Sequence, residues 1–162
     1  MTNLRVALLG VALALALALA LALALEGCAG SDSACGAETA LTAHEPETAS
    51  RADVQAILGR SCAIGGCHAG ALGAGGLTLP QANAAWVDNV VGVKSQQNPS
   101  MDLVAPGHPE RSWLVYKILG ELCGFTCDAK LGCGGQMPFG QQLAEQERGV
   151  ILAWIRHGAS TN

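Results

Sequence analysis

Ser61-Cys62-Ala63-Ile64-Gly65-Gly66-Cys67-His68 sets two cysteines and an immediately following histidine at the end of a short helical pattern. Two thiols at such a spacing add to the two vinyl groups of haem, and the adjacent imidazole is thereby held under the iron. The usual form of this signal is C-x-x-C-H. Here the spacer between the cysteines is Ala63-Ile64-Gly65-Gly66, and the two glycines let the backbone bulge so that both sulfurs reach one ring. Two other chemistries use the same residues. Cys62 and Cys67 bridged to each other would close a small disulfide loop with no need of His68. A structural zinc would draw further ligands from Cys123, Cys127 and Cys133.

The far end of the chain bears on this choice. Gln136-Met137-Pro138-Phe139-Gly140 puts a methionine in a Gly/Pro-rich loop just before an amphipathic terminal segment. A buried Met is ordinarily gap filler on a helix or strand face, and this one is on neither. A thioether presented by a loop opposite His68 is the distal ligand expected of a high-potential electron carrier.

Working outward, Ser50-Arg51-Ala52-Asp53 has the form of a capping box, and Val54, Ile57 and Leu58 then recur on one helical face leading into Cys62. Glycine and proline between residues 69 and 80 predict a loop. A short helix is expected over 82–91, carrying Trp86, Val90 and Val91, and an extended stretch over 96–107. Pro109 opens a helix expected to run to Gly120, followed by a Cys- and Gly-rich loop over 121–140. Leu143, Val150, Ile151, Trp154 and Ile155 then form one stripe, with Arg156 and His157 in the last turn and Gly158 as the cap. No period-2 pattern competes, so the expected class is all-α: a small helical domain with long loops around one covalently bound haem.

The N-terminal part has a different character. Residues 6–25 are an unbroken run of Ala, Leu, Val and one Gly behind Arg5, as a charged region precedes the apolar core of a secretory signal. The run ends at Leu25-Glu26-Gly27-Cys28, which resembles a bacterial lipobox with Cys28 as the acylated residue. An uncleaved anchor is the alternative, since about 20 apolar residues span a hydrocarbon core of about 30 Å. Residues 1–27 are therefore read as a lipoprotein-type signal peptide, 28–49 as a flexible tether rich in small and polar residues, and 50–160 as the domain. His44 in the tether is read as solvated.

The 162 residues carry 9 Lys+Arg against 13 Asp+Glu, a formal charge of −4 with no basic run, which argues against a nucleic-acid partner. Three Trp, one Tyr and two Phe are few for a domain of this size, and a haem macrocycle at the centre accounts for the deficit. Trp86, Trp113 and Tyr116 are read first as core, and second as a border to the macrocycle. Seven cysteines behind a leader indicate an oxidising compartment.

Residues 54–68, Leu103-Val104-Ala105-Pro106-Gly107-His108-Pro109 with Ser112 and residues 114–120, Met137-Pro138, and Trp154-Ile155-Arg156-His157-Gly158-Ala159 are together similar to the cytochrome c-like domains of myxobacterial and planctomycete envelope lipoproteins. The resemblance spans roughly residues 50–160. It implies thioether bonds from Cys62 and Cys67 to one haem c, His68 as the proximal iron ligand and Met137 as the distal one. It also implies an electron carrier rather than an enzyme, exchanging electrons with redox proteins of the cell envelope. The chain would be exported and membrane-tethered, facing the periplasm or held as an outer-membrane lipoprotein.

Cys35, Cys123, Cys127 and Cys133 remain, and four cysteines permit three pairings. A bridge from Cys133 to Cys123 or Cys127 would brace the loop presenting Met137. His108 is read as a turn or cap residue and as the first substitute for Met137; Met101 is a weaker substitute in an exposed connection, and His157 a helix-terminal cation. Two rival functions stand beside the carrier. One is a cofactor-free, disulfide-stapled lipoprotein that binds or supports other molecules, and the other is a haem sensor or peroxidase with an open sixth position. No Ser/His/Asp set, phosphate loop or paired-carboxylate site is present, the glycines of 70–76 lacking the strand such a loop follows.

Overall fold

The computed structural model describes residues 44–70, 73–79, 86 and 89–160. These form three helices, α1 (Arg51–Ser61), α2 (Trp113–Leu119) and α3 (Glu145–Arg156), with 3-10 turns at Ala74–Gly76 and Pro109–Arg111. Among the described residues there is no strand, only isolated bridges pairing Val91 with Val104, Lys94 with Asp102 and Asp102 with Ser112. The class is all-α, with loops making up most of the remainder. The run at 6–25, Cys28 and Cys35 lie outside the described residues, as do 82–85, 87 and 88 of the expected 82–91 helix. Val91, at the end of that span, is in a bridge and not in a helix. No helix among the described residues is long and apolar enough to cross a membrane.

α1 begins where the capping box predicts. Asp53 N–H donates to Ser50 Oγ at 3.2 Å, and Ser50 N–H donates back to the Asp53 carboxylate at 2.9 Å. α1 packs on α3, and α2 packs on α3 as well. The contact is built from Val54, Ile57 and Leu58 on α1, Val115 and Ile118 on α2, and Ile151, Leu152, Trp154 and Ile155 on α3, all buried. Each such side chain removed from water contributes about 1.5–3 kcal/mol, more than the roughly 0.5–1.5 kcal/mol net of a typical neutral hydrogen bond. Trp86 stacks on Trp154 at 5.9 Å between ring centroids and belongs to this core.

α3 has no hydroxyl or amide at its N-cap, since Ala144 occupies it. Glu147 substitutes: its carboxylate accepts from Ala144 N–H at 3.0 Å and also pairs with Arg60 of α1. One side chain therefore caps α3 and ties it to α1. At the other end, His157 is the C-cap and Gly158 takes the left-handed conformation at φ 94°, as expected.

Two boundaries differ from expectation. The helix expected over 109–120 divides at Ser112, which is extended (φ −103°, ψ 112°) between the Pro109–Arg111 turn and α2. The reason is tertiary: buried Ser112 Oγ accepts from Ala105 N–H at 2.8 Å and donates to His108 O at 2.9 Å. The tether expected over 28–49 also gives way to fixed chain earlier. Glu45 grips Arg156 through both carboxylate oxygens at 2.8 and 2.9 Å, and Ala49 packs on the core. Gly149 permits this approach, because a Cβ there would lie 2.0 Å from His44 O. His44 itself is exposed.

Candidate functional site

α1 ends at Cys62, whose N–H donates to Leu58 O at 2.8 Å, and the chain then folds back under its own helix end. Cys67 N–H donates to Ile64 O at 3.0 Å and His68 N–H to Cys62 O at 3.1 Å. Gly66 makes the reversal at φ 82°, a conformation that side-chain-bearing residues rarely adopt. The four-residue spacer is therefore a closed turn that returns His68 to the end of α1.

Residues 77–79 then clamp His68. Leu79 N–H donates to His68 O at 2.7 Å, and His68 Nδ1 lies 3.0 Å from Leu77 O. A carbonyl only accepts, so the Nδ1 proton is fixed and the neutral ring carries its lone pair on Nε2. Iron- and zinc-bound histidines are prepared in this way, by a backbone carbonyl that sets tautomer and ring orientation.

A cavity of about 380 Å³ has His68, Cys62 and Met137 in its wall together. Its other walls are mostly apolar, with Leu58 from α1, Leu77 and Leu79, Val104, and Trp113 and Ile118 from α2. The size falls within the roughly 300–1,000 Å³ typical of small-molecule and cofactor clefts. Met137 is half-buried, and its N–H donates to Lys117 O at 2.8 Å, which ties the methionine loop to the last turn of α2. Below it the Cys127–Cys133 disulfide closes a small loop, with Cα atoms 5.2 Å apart. Asp128 fixes that loop further by accepting from Lys130 and Leu131 N–H, and those bonds hold its carboxyl below the usual carboxylate range.

Cys62 and Cys67 are free thiols in the same structure in which Cys127 and Cys133 are paired, and Cys123 is disulfide-bonded too. Burial, then the neighbouring Cys67, pushes the Cys62 thiol up to about 11, so at neutral pH it is an uncharged sulfur against an apolar wall. A zinc site drawing on Cys123, Cys127 and Cys133 loses those ligands to disulfides. Among the described residues no three His, Cys, Asp or Glu side chains gather as a metal-binding group.

The residues expected at the site do not all meet. Cys62, His68 and Met137 share the cavity, whereas Cys67, half-buried beside His68, is not in its lining. His108 is exposed and 3.0 Å from Glu110, and Met101 is held in a turn by Asn98 O; neither lines the cavity that Met137 lines. Of the three rings considered as borders, only Trp113 is in the wall. Tyr116 packs edge-on against Phe125 at 4.6 Å.

Lys117 and Gln97 also line the cavity and are not among the residues that the sequence places there. Lys117 is only 6% exposed and lines the cavity, and burial pulls its ammonium below the usual lysine range. The signal was available: Lys117 falls four residues after Trp113, on the helical face that also carries Ile118. No protein-family model, curated protein or solved structure matches the chain.

Proposed function

We propose that the chain is a single-haem c-type cytochrome that carries electrons between redox proteins of the bacterial cell envelope. In this reading it is an exported lipoprotein held to a membrane through Cys28, or through an uncleaved N-terminal segment. The observation that carries it is the pairing of an imidazole whose Nε2 is freed by the Leu77 carbonyl with a loop methionine in the wall of one apolar cavity.

The residues present fit the group. Cys62, and Cys67 from just outside the lining, would hold it covalently, His68 and Met137 would supply the donors to its iron, and the mostly apolar wall would limit the access of water. When bound, the haem supplies one-electron exchange between Fe(III) and Fe(II). The protein's part is ligand choice, burial and orientation. Met137, anchored by its own N–H to α2, favours a closed sixth position and so the carrier over the sensor or peroxidase. The free thiols of Cys62 and Cys67 speak against the stapled, cofactor-free module.

The test is the absorption spectrum of full-length protein produced alongside a haem attachment system. A six-coordinate, low-spin spectrum in both oxidation states is expected. A high-spin spectrum favours the sensor or peroxidase, and the lack of a Soret band favours the cofactor-free module.

A further inference from the structure

Lys117 is a buried cation whose only hydrogen-bond acceptor among the described residues is a neutral carbonyl, Cys133 O at 2.8 Å. None of the ion pairs among the described residues includes it. An ammonium has three protons to donate, and keeping a charge out of water without a counter-charge is costly, so such groups are normally paired. The nearby aromatic ring, Trp113 with its centroid 6.0 Å from Nζ, offers only a weak cation–π contact at the outer limit of range.

A second donor converges on the same place. Gln97 Oε1 accepts from Trp113 Nε1–H at 3.5 Å, and its Nε2 remains as the donor end of the amide. Lys117 Nζ and Gln97 Nε2 both approach one point beside Gly134, lying 3.0 and 2.7 Å from where a Cβ on that residue would be. Both side chains also line the cavity that holds His68 and Met137. An ammonium and a carboxamide N–H side by side on the wall of a mostly apolar cavity recognise a carboxylate.

We propose that Lys117 and Gln97 seat a carboxylate of the cavity's ligand, a propionate in the haem reading on which this inference rests. They thereby fix which edge of the ring faces α2 and the methionine loop. They are positioning residues, and Lys117 adds a positive charge that favours Fe(II) over Fe(III).

The test uses full-length protein matured with covalent haem, as wild type, Lys117→Met, Lys117→Arg, Gln97→Leu and Lys130→Met, the last removing an exposed lysine from the neighbouring loop. Haem content is read first, then the midpoint potential. Lys117→Met should lower the potential clearly, Gln97→Leu should lower it less, and Lys117→Arg should stay near wild type. Lys130→Met should hardly move it. Equal, small shifts in Lys117→Met and Lys130→Met overturn the carboxylate seat while leaving the cytochrome reading intact, and a haem-free wild type overturns both. Should Lys117→Met fail to fold, resonance Raman spectra of wild type and Gln97→Leu decide: a displaced propionate bending band supports the seat, and an unchanged band overturns it.

Discussion

His68 Nδ1 and the carbonyl oxygen of Leu77 lie 3.0 Å apart, across the loop that follows the Cys-x4-Cys-His segment. This one bond fixes the tautomer of the neutral ring, because it leaves Nε2 as the basic nitrogen. Its partner is backbone, so the bond depends on the course of the chain through 77–79 and not on the identity of a side chain.

Removing the ring should therefore leave a hole of imidazole shape. His68→Gly is expected to lose the low-spin spectrum, and millimolar imidazole to restore it. A low-spin spectrum in His68→Gly without added imidazole would place the proximal ligand elsewhere.

In the proposed reading Met137 fills the sixth position. A thioether is a soft, neutral ligand that favours Fe(II), so Met137→Ala should lower the reduction potential and admit carbon monoxide or cyanide quickly. Met137→His should lower the potential while the iron stays six-coordinate. Potentiometry with ligand-binding rates checks both, and an unchanged potential in Met137→Ala would remove Met137 from the site.

Glu147 ties pH to stability. The hydrogen bond from Arg60, chiefly, holds its carboxyl below the usual carboxylate range, with Ala144 N–H adding to it. A value lowered by folding stabilises the fold above the unfolded carboxylate value of about 4.3 and loses that contribution as pH falls through the folded value. Glu147→Gln keeps an acceptor for Ala144 N–H and loses the charge. At pH 7 it should cost about 0.5–1 kcal/mol, toward the lower end because Arg60 is solvent-exposed, and in urea titrations the difference should shrink as pH falls below about 4.3 and vanish below the folded value.

The core should respond far more than the surface. Ile151 is fully buried in the α1–α3 contact, so Ile151→Ala should cost roughly 2–5 kcal/mol. Phe139 is 85% exposed beside Met137, and Phe139→Ser should stay within about 0.5 kcal/mol in the same denaturation series.

Local signals carried much of this architecture. The Ser50/Asp53 capping box, the stripe from Ile151 to Ile155 and the Gly158 cap depend on neighbours within one or two turns, and each lies in the sequence where it acts in the fold. What could not be read depends on distant partners. Ser112 breaks the helix expected over 109–120 because its hydroxyl is engaged by Ala105 and His108, and Glu45 reaches Arg156 across more than a hundred residues. The spacer Ala63-Ile64-Gly65-Gly66 was legible as a bulge, but the clamp that Leu77 and Leu79 place on His68 was not. Cys127–Cys133 is one of the two pairings that spacing leaves open to Cys133, and spacing alone does not choose between them.

In the proposed reading Cys62 and Cys67 hold a haem whose iron lies between His68 and Met137. Intact mass of the denatured full chain, expressed with a haem attachment system, tests it most directly, compared with a Cys62→Ala, Cys67→Ala double variant. A wild type heavier by one haem that survives denaturation is expected, with a double variant lacking that mass. A wild type at its haem-free mass, or one whose haem is released on denaturation, would contradict it.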